Sequence, residues 1–241
     1  MSHQKNMKET KERNSLRYRN IKVARFLDRP NRFIAHVEVE GKTETVHVKN
    51  TGRCRELLVP GARVYLEGSR NPARKTAWDL VAVEKGERLI NMDSQAPNKV
   101  FAEWALEGHF LPGVTSLWPE YSYGGSRLDF AVETPQGLHL VEVKGVTLEE
   151  DGAVYFPDAP TERGVKHLHE LTGAAFAGID ATVFFVVQLE GAKFLSPNDS
   201  THPAFGEALR QAAQSGVHVR AFACTVTPDP LSIRREVPVI L

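Results

Sequence analysis

Residues 127–145 read RLDFAVETPQGLHLVEVKG, two strand-like runs joined by a turn, with charges where strands favour β-branched and aromatic residues. A hairpin closing on the four-residue loop Thr134-Pro135-Gln136-Gly137 places Glu133 opposite Leu138, and every further pair follows from that register. Asp129 then meets Glu142, Leu128 meets Val143, Phe130 meets Val141 and Val132 meets His139. One face becomes almost wholly apolar, while Arg127, Asp129, Glu142 and Lys144 gather at the open end of the other. A slip of one residue would mix the two faces, so the hydrophobic pattern selects this register.

Directly opposed residues have Cβ atoms about 4.5–5.5 Å apart, and like charges there repel. At about 4 Å and an effective dielectric of about 20 the repulsion is on the order of 4 kcal/mol. Two compensations are open. Lys144 and Arg127 can neutralise the pair as an ordinary surface charge cluster. Alternatively, Asp129 and Glu142 can hold Mg²⁺ or Mn²⁺, with Lys144 beside an attacking water or a scissile phosphate. Glu103, on the polar side of the preceding helix, is a further candidate acid.

Outward from the hairpin, the helical pattern SQAPNKVFAEWALEGHF (94–110) has Pro97 near its start, Ser94 or Asn98 as candidate caps, and Val100, Phe101, Trp104 and Ala105 as its apolar face. After it, PTERGVKHLHELTGAAFAG (160–178) reads as a helix, ATVFFVVQLE (181–190) as a strand covered on both faces, HPAFGEALRQAAQSG (202–216) as a second helix and HVRAFACTV (218–226) as a last strand. That order predicts an α/β domain with helices against a mixed sheet. Before residue 94, about five short runs with period-2 alternation and glycine turns predict a small barrel or sandwich. In one of them Phe33, Ala35, Val37 and Val39 form the inward set.

The chain has 241 residues with 30 basic and 30 acidic side chains, so bulk charge announces no polyanion partner. The distribution is less even: residues 1–25 carry eight Lys or Arg against two Glu, and 49–75 carry seven against two. Local basic stripes are the relevant footprint for nucleic acid. The first is equally a solvated tail. Around 46–61, His47, Lys49, Asn50, Arg53 and Arg55 could contact phosphates or simply connect strands; Arg163, Lys166 and His167 on the later helix, capped by Thr161, pose the same choice. Two distant cysteines and scattered histidines exclude a zinc ribbon and a disulfide scaffold. With no long apolar run and no signal-like start, a cytoplasmic protein without a membrane segment is expected.

VHVKNTGRCRELLVPG (46–61), SRLDFAVE with LVEVKGVTL (126–133 and 140–148), and FPDAPTERGVKHLHEL (156–171) resemble the signature segments of the sugar fermentation stimulation protein A family, from about Ile21 to the C-terminus. Residues 1–20 lie outside the match and are expected to form a polar, disordered leader. The resemblance implies an α/β protein in two parts: an OB-like barrel over 21–93 and a PD-(D/E)xK nuclease-like domain with a mixed central sheet over 94–241. It matches Asp129, Glu142 and Lys144 to the nuclease motif and Glu103 to the acid of the first core helix, with Leu128 where the motif's name has proline. It also implies DNA binding without strong sequence preference, with RNA as a second candidate, and a link to regulation of sugar, notably maltose, metabolism. Three functions are therefore weighed: a Mg²⁺- or Mn²⁺-dependent nuclease, a non-catalytic DNA-binding regulator, and a binder of a small metabolite.

Overall fold

The computed structural model describes residues 16–241 apart from 51, 70 and 72. The barrel runs through β1 (Ile21–Asn31), β2 (Ile34–Val39), β3 (Lys42–Val48), β4 (Arg63–Gly68) and β5 (Trp78–Lys85), followed by β6 (Arg88–Asn91). Strand order is β3-β2-β1-β4-β5-β6, and β3 closes onto β5 in parallel through His47↔Asp79 and Val48↔Leu80. The alternation does its work here: Ala35, Val37, Val39, Val46, Val48, Val64 and Leu66 all point into a dry interior. Phe33, expected inside, is 45% exposed, because it sits in the turn where Asn31 Oδ1 accepts the N–H groups of Phe33 and Ile34. Arg29-Pro30-Asn31, a turn-like sequence, lies in β1, whose register shifts around Asp28 and so accommodates Pro30, which has no N–H to donate.

The second half contains α1 (Ala96–Leu106), β7 (Ser116–Tyr123), β8 (Ser126–Thr134), β9 (Gly137–Val146), β10 (Leu148–Glu150), β11 (Ala153–Phe156), α2 (Glu162–Phe176), β12 (Asp180–Val187), β13 (Phe194–Pro197), α3 (Pro203–Gln214), β14 (His218–Val226) and β15 (Leu231–Val237). The main sheet has order β15-β14-β12-β9-β8-β7 and is mixed: β9, β12 and β14 are parallel neighbours, while both edges are antiparallel. A small sheet, β10-β11-β13, flanks it.

Helices cover both faces of the main sheet, which explains why β12 is buried at every position from Ala181 to Val187 and apolar at all of them but Thr182. Phe184 and Val186 face α1, where Phe101 meets Phe184 at 4.8 Å and Trp104 meets Phe222 at 4.7 Å between ring centroids. Val183, Phe185 and Val187 face the side of α2 and α3 with Leu168, Leu171 and Leu209. Each fully buried side chain of this kind contributes about 1.5–3 kcal/mol.

The hairpin has the expected register, from Glu133↔Leu138 to Phe130↔Val141, but its pairing continues to Thr134↔Gly137. The loop is therefore two residues, Pro135 and Gln136. The two-face pattern also differs from expectation. Both faces are buried, and Leu128 joins Ala131 and Leu140 in one cluster while Val143 joins Phe130 and Val141 in the other. The expected Leu128–Val143 pairing is lost because the ladder ends at Phe130↔Val141.

Of the leader expected over 1–20, residues 1–15 lie outside the described residues. Its end is packed rather than loose: Tyr18 is buried, and its N–H donates to the Asp229 carbonyl at 3.0 Å. Among the described residues no helix is long and apolar enough to cross a membrane.

Candidate functional site

Beyond Phe130 the β8–β9 ladder opens, and carboxylates take over bonding that the backbone would otherwise make. Asp129 Oδ2 accepts the Val143 N–H at 2.9 Å, and the Asp129 N–H points to Glu142 Oε2 at 3.4 Å. Asp129 Oδ1 accepts from Asn98 Nδ2 at 2.8 Å, which ties the site to the first turn of α1. Glu142 is 2% exposed. Its Oε1 accepts from Lys144 Nζ at 2.5 Å and from His167 Nδ1 on α2.

His167 is oriented in turn by Arg163, whose Nε lies 3.3 Å from His167 Nε2. A guanidinium only donates, so this contact requires a lone pair at Nε2 and puts the ring proton at Nδ1, aimed at Glu142. α2 starts where Thr161 accepts the Gly164 N–H at 3.1 Å. Gly164 has to be small, because a Cβ there would stand 2.9 Å from Thr161 Oγ1 and 3.2 Å from Phe205.

The two acids are pushed in opposite directions. Burial raises the Asp129 carboxyl above its ordinary value, the Glu142 charge adds to the rise, and Lys144, the Val143 N–H and Asn98 only partly oppose it. Burial also acts upward on Glu142, but the bonds and charges of His167 and Lys144 outweigh it and hold this carboxyl below its ordinary range. The pair therefore contains one firmly ionised acid and one strained by its neighbour, the condition a cation relieves.

Asp129, Glu142 and Lys144 are thus brought together, and His167 joins them. His167 is buried against Glu142, so it is not an exposed phosphate contact. Arg163 and Lys166 do reach the surface; Lys166 Nζ donates to the Gly125 carbonyl at 2.7 Å. Arg127 stays outside, paired with Glu120 at 3.3 Å.

Glu103 is not brought to Asp129. It lies five positions after Asn98, roughly 140° further round the helix at 3.6 residues per turn. Its carboxylate accepts the Leu16 N–H at 3.1 Å, and burial pushes it up to about 7. The helix residue that does meet Asp129 is Asn98, which is neither a cap nor an acid. The cap position is Gln95, and Ser94 donates instead to the Lys49 carbonyl at 2.7 Å.

On the barrel, His47 is held by Asp79 at 2.8 Å, and Lys49 by buried Asp93 at 2.7 Å. Asn50 Oδ1 accepts the Gly52 N–H at 2.7 Å, and Arg53 is exposed. This loop is organised by a residue that sequence reasoning passed over, Arg29, whose guanidinium donates to the carbonyls of Arg32, Asn50, Gly52 and Arg53. Arginine two residues before the turn asparagine was the available signal.

A closed barrel feeding a mixed sheet, with a buried acid and a lysine on its central strand, defines a two-part protein: an OB-like domain joined to an α/β domain with helices on both faces of its sheet. The family models divide it the same way. The SfsA N-terminal OB domain matches residues 27–92 and the sugar fermentation stimulation protein RE domain matches 95–230. The chain belongs to the sugar fermentation stimulation protein family.

A homologue of that name from Clostridium beijerinckii is 52% identical over 226 residues, covering 94% of this chain and 100% of its own. One from Desulfitobacterium hafniense is 54% identical over 216 residues, covering 90% and 94%. A solved structure, Pyrococcus furiosus SfsA in complex with Ca²⁺, superposes with a TM-score of 0.86 at 28% identity, covering 94% of this chain and 99% of that one.

Proposed function

We propose that this protein is a cytoplasmic DNA-binding protein without strong sequence preference, and that it hydrolyses phosphodiester bonds at a divalent-cation site held by Asp129 and Glu142. The observation that carries the reading is the meeting of two carboxylates and Lys144 where the β8–β9 ladder opens. The donor set suits a hard cation: it offers oxygen only, and Asp129 is already raised by burial and by the Glu142 charge. Among the described residues no group of three or more His, Cys, Asp or Glu side chains is arranged to hold a metal ion. Two carboxylates, with the remaining positions left to water and phosphate, are a donor set Mg²⁺ accepts. The Ca²⁺ complex of the Pyrococcus furiosus relative supports an oxygen-seeking ion at this fold.

When bound, Mg²⁺ or Mn²⁺ supplies charge at a phosphoryl oxygen and lowers the pKa of water. Lys144, bonded to Glu142 Oε1, would stand beside the attacking water or a non-bridging oxygen. His167 keeps Glu142 ionised and fixed through its Nδ1–H, and Arg163 fixes the ring. Asn98 holds Asp129. Exposed Arg163, Lys166 and Arg53, with Asn50 at the barrel loop, carry the backbone phosphates. In the same reading the barrel unit spans 21–93, the catalytic unit spans 94–241, and the activity serves regulation of sugar metabolism, maltose included.

One observation favours a second reading, in which the fold only docks nucleic acid. Glu142 Oε1 is already satisfied from both sides by Lys144 and His167. Labelled DNA and RNA incubated with Mn²⁺, Mg²⁺ or chelator separates the two. Metal-dependent cleavage that disappears in Asp129→Ala and Glu142→Ala supports hydrolysis. Cleavage unchanged in both variants overturns it, and salt-sensitive binding without any cleavage leaves docking alone.

A further inference from the structure

The nucleic-acid reading leaves unused a cleft of about 350 Å³ between the barrel and the second domain. It opens at the carboxyl end of β9, between the starts of α1 and α2, the place where open α/β sheets bind ligands. Gly145, which lines it, directly follows Lys144. Its other walls include Asn50 and Gly52 of the barrel loop and the 157–161 segment leading into α2.

Its chemistry is lopsided. Gln188 is 1% exposed and lines the cleft. Its Nε2 donates to Asn91 Oδ1 at 2.8 Å and to the Asp93 carbonyl at 3.1 Å, two acceptors that fix which end of the amide is oxygen. Among the described residues no donor reaches Gln188 Oε1, which stands over Gly145 where a Cβ would be 2.5 Å away. Asp158, which also lines the cleft, has no hydrogen bond or ion pair among the described residues, and its Oδ2 stands over Gly52, where a Cβ would be 2.2 Å away. Two acceptors thus face the cleft, each against a glycine that leaves it room.

A phosphate would be repelled by Asp158. A donor-bearing planar group would not, and the volume falls within the range of small-ligand pockets and far below what a duplex needs. The geometry points to a subsite for one unstacked nucleobase flanking the scissile phosphate, selective for bases that carry an exocyclic amine (adenine, cytosine, guanine) over thymine and uracil. The two hydrogens of the amine donate to Asp158 and Gln188 Oε1 together, whereas thymine or uracil offers a single N3–H between two carbonyls, which leaves one acceptor set against oxygen. This rests on the nucleic-acid reading above and gives it a substrate preference: single-stranded or frayed ends rather than closed duplex.

The test measures binding of the full chain to fluorescent (dA)₁₂, (dC)₁₂, (dT)₁₂ and a blunt hairpin duplex in chelator, so that cleavage plays no part. Roughly tenfold weaker binding of (dT)₁₂ than of (dA)₁₂ or (dC)₁₂ is expected, the effect of losing one hydrogen bond and leaving an acceptor unpaired. Asp158→Asn, which can donate to a thymine carbonyl, should shrink or invert that ratio. Ala159→Phe, which fills the cleft, should abolish the preference while leaving salt-dependent binding. Equal binding of all three strands, or a ratio untouched by both variants, overturns the subsite but not DNA binding. No binding of any strand or duplex at low salt overturns both.

Discussion

Asp129→Asn should stabilise the protein in chelator and destabilise it, relative to wild type, when a divalent cation is present. The asparagine keeps an oxygen for the Val143 N–H, which Asp129 now accepts at 2.9 Å. Its amide can face a turned Asn98. What it removes is charge. Two carboxylates about 5 Å apart at an effective dielectric of about 20 repel by roughly 3 kcal/mol. Lys144, 2.5 Å from Glu142 Oε1, cancels a large part.

A net gain of about 1–2 kcal/mol remains, which for a chain of this size corresponds to about 2–8 °C in melting temperature. The sign follows from the raised Asp129 carboxyl. An acid raised in the folded state contributes stability below its unfolded value and loses it as pH rises through the folded value. The advantage of the variant should therefore vanish in acid and grow toward neutral pH.

Cation at a hundred times its dissociation constant stabilises wild type by about 2.7 kcal/mol. The variant, lacking one of two carboxylates, should lose most of that. Melting curves at pH 5 and 7.5, in chelator and in saturating Mg²⁺ or Mn²⁺, should cross. A variant that melts below wild type in chelator at pH 7.5, or gains as much from the cation, refutes the reasoning.

Three further expectations come from elsewhere in the molecule. Glu149 on β10 is buried and clamps the barrel, bonded to Lys85 at 3.0 Å, to Arg88 and to the Gly152 N–H at 2.6 Å. Glu149→Ala should cost about 2–3 kcal/mol in denaturant unfolding, less than a fully buried pair because both cations are partly exposed. Burial acts upward on Glu149, but Lys85, the Gly152 N–H and Arg88 together hold it below its ordinary value of 4.5, so its contribution should fade as pH falls below about that value. Gly145→Ala would put a Cβ 2.5 Å from Gln188 Oε1 and 2.7 Å from Pro97, and should cost about 1–3 kcal/mol in the urea midpoint with an unchanged slope. Arg163→Ala should lower metal-dependent cleavage about 10–100-fold by releasing His167, as loss of such supporting partners does. A drop of about one in the salt slope of DNA binding with normal cleavage would assign Arg163 to phosphate contact alone.

The hairpin register was legible in RLDFAVETPQGLHLVEVKG because period 2 leaves a single pairing that buries Phe130, Val132 and Val141 together. What happens past Phe130 was not, because a ladder that opens obeys no periodicity. Glu103 shows the same limit from the other side. An acid on the right helix is visible in sequence, but the turn that faces Asp129 depends on how α1 is set against the sheet. Asn98 carries no charge to attract notice. The strands β10, β11, β13 and β15 were missed because they are short or, like LSIRREV, charged along an edge. The pairing of Glu142 with His167 spans 25 residues and the strands β10 and β11, and no spacing rule links a strand acid to an imidazole in the next helix.

The placement of Asn98 has a cause that lies in the barrel. β6 ends at Asn91, whose Oδ1 accepts from Gln188 Nε2 and from the Asp93 N–H, while its Nδ2 donates to Tyr18 Oη at 2.8 Å. Asp93 then accepts the Gln95 N–H at 2.9 Å as α1 begins, and Lys49 of the barrel neutralises Asp93 from the other side. A buried network of this kind is costly if any member is unpaired, so it permits essentially one arrangement. Tyr18, from the leader, belongs to it, and burial together with the Asp93 charge holds its hydroxyl protonated and able to donate. The chain of constraint therefore runs from the barrel strands through Asn91 and Asp93 to the first turn of α1, and from Asn98 to Asp129. On this argument the barrel is part of the site's scaffold as well as a surface for nucleic acid. A second domain cut away at residue 93 would keep Asn98, Asp129, Glu142 and Lys144 but lose the barrel contacts that set Asn98 against Asp129.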